Sequence, residues 1–598
     1  MGISAAPLPS NDLSDSGNEK VELEAREHAE GSGSEALSPL EEDHGDGKLT
    51  KEIILAYIAL CGQINAYIMT MLIPATTLPY INAELGPDPN SVWITICWTL
   101  GASILVSIGG RLSDIFGRRY FMLTGAMISI IGTIVGATGK SIPQMIVSGA
   151  LFGIGSGFQE LCYACVQEIV PNRYRVMAVG GLDVSLALAF SSPVIAYAFI
   201  AHQPIGWRGA YWYLFSYHVF AFILLFLFYK PPDFKTKHRQ DGYTKLQLLG
   251  QLDYVGVFLF LTGGVLFLLG VNFGGRTYPW SHAGTIAPIV LGCCCFIAVA
   301  FWEAYADLKF PLFPPKLFKR VREFDMIIVV CFVGGMLYYS MNVLWPRQSQ
   351  AFFIGPDEVI MRGVYAIIFS CGTWMAGLLT VFVCSRLHHE KWQLVAFTVI
   401  QTALIGSMAS VKSTSLAQAI VTVVLAATTI TPPQLLSFTM LSFGLEDQAD
   451  LGIAVGLAGT FRLFGGAVAT AIYTAIYSSR FTEVLPGKMA AAINASDVPF
   501  SDGLLASLVK AGQLNTAAAF AAVSGATPRL IELAQDAVKQ SYVKGFSLVY
   551  LIAIAFGAAA TVAAMCTVST DRSKKNNARA VIMMNEMEKE SDVDSKAV

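Results

Sequence analysis

Fourteen apolar runs, each close to the ~20 residues an α-helix needs to cross a hydrocarbon layer, constrain this chain more than any other feature. They begin near Ile53, Val92, Tyr120, Pro143, Val176, Ala210, Tyr254, Thr285, Phe324, Gly363, Trp392, Ser415, Gly452 and Tyr542. In lipid a backbone must satisfy its own hydrogen bonds, so runs of this length fold as helices. The expected fold class is an all-α polytopic membrane protein. Composition agrees: 54% of the 598 residues are hydrophobic and 14% are charged, whereas soluble domains carry about 25% charge. A net charge of −3 gives a phosphate backbone nothing to bind, and no nucleic-acid partner is expected.

The basic residues set an orientation. With the N-terminus in the cytoplasm, the inner connections hold Arg111, Arg118, Arg119, Arg173, Arg175, Lys230, Lys235, Lys237, Arg239, Lys245, Lys309, Lys316, Lys319, Arg320, Arg322, Arg386 and Lys391. The outer ones hold Lys140, Arg208, Arg276, Arg347, Arg362 and Lys412. A ratio of about three to one places both termini inside and requires an even number of spans.

The expected organisation follows. Residues 1–50 are an acidic cytoplasmic tail too poor in apolar groups to order itself, and without the basic start and apolar core of a signal peptide. Residues 51–229 form a six-helix bundle. Residues 230–322 hold two extra helices and their basic connections. Residues 323–479 carry five helices of a second bundle, 480–541 a long extracellular loop, 542–570 the last helix and 571–598 a cytoplasmic tail. Within the long loop, Thr527-Pro528 followed by Leu530, Leu533, Ala534 and Ala537 reads as a capped amphipathic helix. Asn494-Ala495-Ser496 is a glycosylation sequon on the permitted side.

All eleven cysteines lie in apolar segments, which argues against a disulfide framework. Cys162-x-x-Cys165 is read as helix packing rather than as a redox or metal pair. There is no H-E-x-x-H, no phosphate-binding loop and no histidine cluster. The chain is therefore not expected to be an enzyme, and no cofactor or metal is expected.

Charge inside a bilayer costs several kcal/mol and marks functional candidates. Glu160 follows the stripe Gly149, Gly153, Gly157 in the fourth run, where small residues let a neighbouring helix approach. Asp183 lies about 10 Å into the fifth run and Arg462 about 15 Å into the thirteenth. A buried carboxylate can exchange a proton near neutral pH, so Glu160 or Asp183 is the expected coupling group; a fixed ion pair is the competing reading. Arg462 is expected to pin the two halves together. Gln63, Asn65, Tyr67 and Thr70 offer a polar cavity wall, and Trp98, Tyr338, Tyr339, Asn342 and Trp374 a mixed aromatic one suited to amphiphiles. His218 is read as packed.

One segment carries a resemblance. Gly110-Arg111-Leu112-Ser113-Asp114-Ile115-Phe116-Gly117-Arg118-Arg119, continuing to Leu123, resembles the loop signature of the major facilitator superfamily in both spacing and position. Glycines at 110 and 117 permit close approach and a sharp turn. The resemblance implies two six-helix bundles, Asp114 capping the penultimate helix near Leu451, and Arg118 paired with an acid of the fourth helix, here Glu168. Together with Arg119, Arg173 and Arg175 these residues would form a conformational gate that favours the outward-facing state.

Further segments are similar to the fourteen-helix drug:proton antiporters, and among them to the fungal trichothecene efflux pumps. They include Glu168-Ile169-Val170-Pro171-Asn172-Arg173-Tyr174-Arg175, Trp207-Arg208-Gly209-Ala210-Tyr211-Trp212, Leu252-Asp253-Tyr254-Val255-Gly256, the run from Pro311 to Phe318, and Gly459-Thr460-Phe461-Arg462. This implies two extra central helices, fourteen in all, and proton-coupled efflux of a hydrophobic toxin, drug or secondary metabolite by alternating access. The implied partners are that small hydrophobic or amphiphilic substrate, protons and the bilayer, with the chain acting as a monomer. The plasma membrane is the expected location, the vacuolar membrane the alternative. Uptake of an iron–siderophore complex is the competing function. The chain departs from the antiporter pattern at Gly149, where an arginine is usual, at Ser192-Pro193 in place of Gly-Pro, and at Thr70 in place of an aspartate.

Overall fold

A computed structural model describes residues 49–86, 88–231, 245–275, 277–354, 358–387, 389–445, 450–494, 502–514, 517–569 and 579. The acidic tail up to residue 48, the basic residues Lys235, Lys237, Arg239 and Arg276, the sequon positions 495 and 496, and the C-terminal tail apart from residue 579 lie outside them.

Fourteen helices are long and apolar enough to span, and there is no β-strand among the described residues. They are α1 Lys51–Leu85, α2 Asn90–Phe116, α3 Arg118–Ala137, α4 Ile142–Ile169, α5 Asn172–His202, α6 Trp207–Phe228, α7 Tyr254–Phe273, α8 Ala283–Tyr305, α9 Val321–Phe352, α10 Val359–Cys384, α11 Glu390–Ser410, α12 Leu416–Gly444, α13 Leu451–Asn494 and α14 Pro528–Cys566. Helices α1–α6 pack on one another, as do α9–α14; α8 packs on α7, which leans on α2 and α13. The two six-helix sets meet along α2–α13 and α5–α10. This is the all-α, fourteen-helix major facilitator architecture.

The segment 480–541 is not the loop expected from its polarity. α13 runs on for 44 residues, about 66 Å at 1.5 Å per residue, against a hydrocarbon thickness of about 30 Å. α14 already starts at Pro528, where the Thr527 hydroxyl accepts from the Leu530 N–H at 3.3 Å. The expected cap is therefore the start of the last spanning helix itself, because no proline follows Pro528 to interrupt it. With helices Asp502–Leu514 and Ala517–Ala521, these extensions enclose a second apolar core built on Phe481, Leu485, Met489, Leu508, Leu530 and Val538.

Two spans are broken inside the bundle. α4 consists of Ile142–Gln159 and Cys162–Ile169, joined by a tight turn at Glu160 and Leu161 in which the Tyr163 N–H donates to the Glu160 carbonyl. α5 breaks at Leu186, whose N–H donates to the Asp183 carbonyl at 3.1 Å. Both intramembrane acids thus stand at helix interruptions, the arrangement by which transporters expose backbone polarity to a central site.

Close approach is written in glycine. A methyl on Gly149 would sit 2.1 Å from the Ile94 carbonyl oxygen of α2. α4 therefore lies directly against α2, and there is no room at Gly149 for the arginine usual in drug antiporters. The departure from that pattern is a packing choice.

Candidate functional site

The connection between α2 and α3 defines one side of the molecule. Gly117, at φ 95°, turns the chain between the two helices, a sparsely populated backbone state that costs other residues about 1–3 kcal/mol. On this side α2 and α13 touch: a methyl on Gly110 would lie 2.8 Å from the Gly452 carbonyl oxygen. Asp114 is brought to the first turn of α13, where its Oδ2 accepts from the Ile453 N–H at 2.8 Å. Here a carboxylate satisfies an otherwise unpaired amide at the positive end of a helix. Arg118 bridges Asp114 at 2.9 Å and Glu168 of α4 at 2.5 Å. All three are buried, so their bonds are exchanged for few bonds to water.

The other gate candidates divide. Arg175 is buried, its guanidinium 5.9 Å from the Phe443 ring of α12, so it joins the two halves. Arg173 is exposed and lies over the Tyr174 ring at 4.6 Å. Arg119 takes no part in the lock: its Nη2 donates to the Phe226 carbonyl of α6 at 2.7 Å, within its own half. The geometric reason is that adjacent helical residues point about 100° apart, so only one of the Arg118–Arg119 pair can face α13.

Sequence reasoning does not reach a second latch. Asp450, one residue before α13, pairs with Arg111 of α2 at 3.6 Å and with Lys316 at 2.5 Å. An acidic residue just ahead of the thirteenth apolar run was its only signal. Deeper along the same seam, the Ser107 N–H and hydroxyl meet the Thr460 hydroxyl at 3.0 and 2.8 Å.

The far half opens between the same helices. A cavity of about 150 Å³ is lined by Thr70, Leu78, Trp98, Tyr339, Asn342 and Arg347, among others. That is below the 300–1,000 Å³ of typical ligand sites, so the molecule is closed on one side and only partly open on the other. Of the nine wall candidates, Thr70, Trp98, Tyr339 and Asn342 line this cavity. Gln63, Asn65, Tyr67, Tyr338 and Trp374 do not. Gln63 accepts from Gln159 at 3.1 Å. Asn65 spans the break in α5, donating to the Ser185 carbonyl at 3.0 Å and accepting from the Ala189 N–H at 3.1 Å. Trp374 donates to the Val184 carbonyl at the same break at 2.9 Å. Asn65 and Trp374 are drawn to the break because an interrupted helix leaves backbone groups that must be paired.

Directly beneath the cavity floor sits the intramembrane charge. Tyr339 lines the cavity and contacts the Tyr67 hydroxyl at 3.3 Å. Behind them the Arg462 guanidinium of α13 is ion-paired with Glu160 of α4. The rings of Tyr163, Tyr339 and Phe438 lie 5.6, 5.8 and 5.3 Å from its carbon, a cage that favours a cation. Tyr163 also donates to Asp183 at 2.9 Å. The three candidates Glu160, Asp183 and Arg462 thus form one network through Tyr163, and the ion pair crosses from one half to the other. Asn494 is exposed at the end of the α13 extension. Among the described residues no group of His, Cys, Asp and Glu could hold a metal ion.

Residues 17–594 match the model of the fungal trichothecene efflux pump family. The chain belongs to this family. It is 26% identical to the trichothecene efflux pump TRI12 of Fusarium sporotrichioides over 526 residues, 86% of each chain. It is 28% identical to the MFS-type transporter prx5 of Penicillium rubens over 558 residues, 91% of this chain and 96% of the relative. Among solved structures, the human organic anion transporter MFSD10 aligns with 85% of this chain at 13% identity and a TM-score of 0.49. Membership makes this protein a membrane transporter of the efflux type and not an enzyme.

Proposed function

We propose that this protein exports a hydrophobic or amphiphilic secondary metabolite in exchange for protons, by alternating access. The observation that carries the reading is the Glu160–Arg462 ion pair, which ties α4 to α13 beneath a cavity closed off on the α2–α3 side. The distribution of basic residues puts that closed side in the cytoplasm, which makes this arrangement outward-facing. Its locks are Asp114 on α13, Arg118 on Glu168, and Arg111 with Lys316 on Asp450.

A proton arriving from the outer cavity and taken by Glu160 neutralises the acid and releases Arg462. The guanidinium then retains only its aromatic cage and the bond to Gln434 at 3.5 Å. α13 loses its tie to α4 and can move with its half, parting the α2–α13 seam on the cytoplasmic side. Substrate entering there meets Tyr67, Tyr339 and Trp98, and loss of the proton to the cytoplasm restores the ion pair and the outward state. Asp183, joined through Tyr163, is the second acid of the relay.

The cavity lining supports the substrate class. It is apolar with scattered hydroxyl and amide groups, and the charged group among its lining residues is Arg347. A neutral, oxygen-bearing terpenoid suits such a wall, and the Fusarium relative is named for trichothecenes. The reading places the protein in the plasma membrane as a monomer with both ends cytoplasmic.

The test is Glu160→Gln in proteoliposomes loaded with a trichothecene under an imposed pH gradient. Downhill exchange should persist while uphill accumulation is lost. Undiminished uphill transport would remove Glu160 from the coupling step.

A further inference from the structure

A second cavity lies away from the central one, on the outer flank of the α2–α13 seam. It encloses about 690 Å³ between α7, α8, α9 and α13. Phe260, Phe296, Phe461 and Phe464 form much of its wall, and its polar members include Glu303, Lys319 and Thr460. This size accommodates a drug-sized body or the upper part of a lipid.

Its polarity is ordered along the membrane normal. Glu303 stands two residues before the end of α8, on the same side as the α2–α3 connection, and Phe296 is about 10 Å further into the membrane at 1.5 Å per residue. The polar end is therefore at the interface and the phenylalanine end in the hydrocarbon. Glu303 is 5% exposed. Its Oε2 accepts from the Phe313 N–H at 2.6 Å, while Oε1 has no well-aligned donor among the described residues and lies within reach of the Asp253 carboxyl. A buried carboxylate oxygen without a donor is costly, and native structures fill such positions.

The neighbouring acid does not neutralise it: the two carboxyls face each other and call for a proton or a cation between them. Asp253, the cap of α7, lies beside Glu303 and adds a second acid; its Oδ1 accepts from Gly256 N–H and Trp302 Nε1 at 2.8 and 2.9 Å. Arg111 acts on Glu303 electrostatically, but its ion pair is with Asp450 at 3.6 Å and its guanidinium lies over Phe310. Lys319 lines the cavity while remaining exposed. The interfacial end therefore presents a facing pair of acids that a proton or a cationic donor would satisfy and, apart from them, a cation.

We propose that this cavity binds an aminophospholipid of the adjacent leaflet, its primary ammonium on Glu303, its phosphodiester on Lys319 and an acyl chain along Phe260, Phe296 and Phe464. The ammonium donates N–H where the choline headgroup has none, so the site separates phosphatidylethanolamine from phosphatidylcholine by hydrogen bonding rather than by charge. The cavity also reaches the gate: Thr460, one of its lining residues, bonds Ser107 of α2. A bound lipid thus supports α13 from behind, at the seam that closes the transporter.

Native mass spectrometry of the full chain in detergent, with equimolar phosphatidylethanolamine, phosphatidylcholine and phosphatidylglycerol of identical acyl chains, tests this. Retained phosphatidylethanolamine should exceed phosphatidylcholine by at least about tenfold, the lower end of the worth of one charge-assisted hydrogen bond. Glu303→Gln, which keeps the acceptor for Phe313, should bring the two near parity. Ala300→Trp, at an exposed position of the wall, should lower retention of phosphatidylethanolamine by filling the cavity, and requires no change in charge. Equal retention of the two zwitterionic lipids by the wild-type chain would overturn the proposal, as would a preference surviving Glu303→Gln. Preferential retention of phosphatidylglycerol would overturn it in favour of a simple anion site at Lys319. Displacement of phosphatidylethanolamine by equimolar tetraphenylphosphonium would overturn it in favour of a port for cationic substrates.

Discussion

Replacing Asp114 with Asn tests the latch between α2 and α13 with little change of shape. Asp114 is 5% exposed, and its donors include the Ile453 N–H at 2.8 Å and Arg118 Nη2 at 2.9 Å. Asn keeps one acceptor and turns an NH2 group toward the other donor. The loss is one charge-assisted hydrogen bond, about 1.5–3 kcal/mol, and the attraction of a carboxylate for the start of α13, about 0.3–1 kcal/mol. Together these weaken the closed seam by about 2–4 kcal/mol, a shift of about 30- to 1,000-fold toward parting of α2 and α13. Arg118 remains tied to Glu168, so the α3–α4 contact should survive. Hydrogen–deuterium exchange reads the effect directly. Amides of the first turn of α13, Leu451 to Val455, should exchange at least about 30-fold faster in Asp114→Asn, since exchange follows the opening equilibrium. Amides of α11, remote from the seam, should not change. Unaltered exchange at α13 in a folded variant would refute the claim that Asp114 holds the two halves together.

Three further outcomes follow from the packing. Gly149→Ala should lower thermal stability in detergent by about 1–3 kcal/mol, because its methyl would lie 2.1 Å from the Ile94 carbonyl oxygen and such overpacking must shift α2; an unchanged melting temperature would show that the contact yields freely. Asn65→Leu keeps the volume but orphans the Ala189 N–H and Ser185 carbonyl at the α5 break, at about 1–3 kcal/mol for each unpaired group; a thermal shift of several degrees is expected, and none would mean that water takes over the bonds. Asn494→Gln should abolish an endoglycosidase-sensitive mobility shift if the α13 extension faces the lumen of the secretory pathway. The same shift remaining in the variant would place the glycan elsewhere.

The segment from Gly110 to Arg119 illustrates how much the chain declares without a structure. Its glycines imply a turn at Gly117, and the resemblance it carries implies a carboxylate at the start of α13 and a pairing of Arg118 with Glu168; the geometry brings those atoms together at 2.5–2.9 Å. The pairing with Glu168 was legible because a resemblance supplied the partner, not because anything in the sequence measures distance. Arg119 shows the limit, since the same motif does not say which of two adjacent arginines faces the seam. Asn65 shows another. Its polarity suggested a cavity wall, but whether a polar side chain faces substrate or repairs a broken helix depends on the path of α5.

The number of spans, their class and the side bearing the basic loops are properties of the sequence itself. They follow from local hydrophobicity and charge, which the bilayer reads segment by segment. The ion pair of Glu160 with Arg462 could only come from the tertiary structure. The two residues are 302 positions apart, and each alone is merely a charge within an apolar run. Which acid meets which base is decided by the glycine-lined contacts that set α4 against α2 and α2 against α13. It is also decided by a turn in α4 that helical periodicity does not foretell.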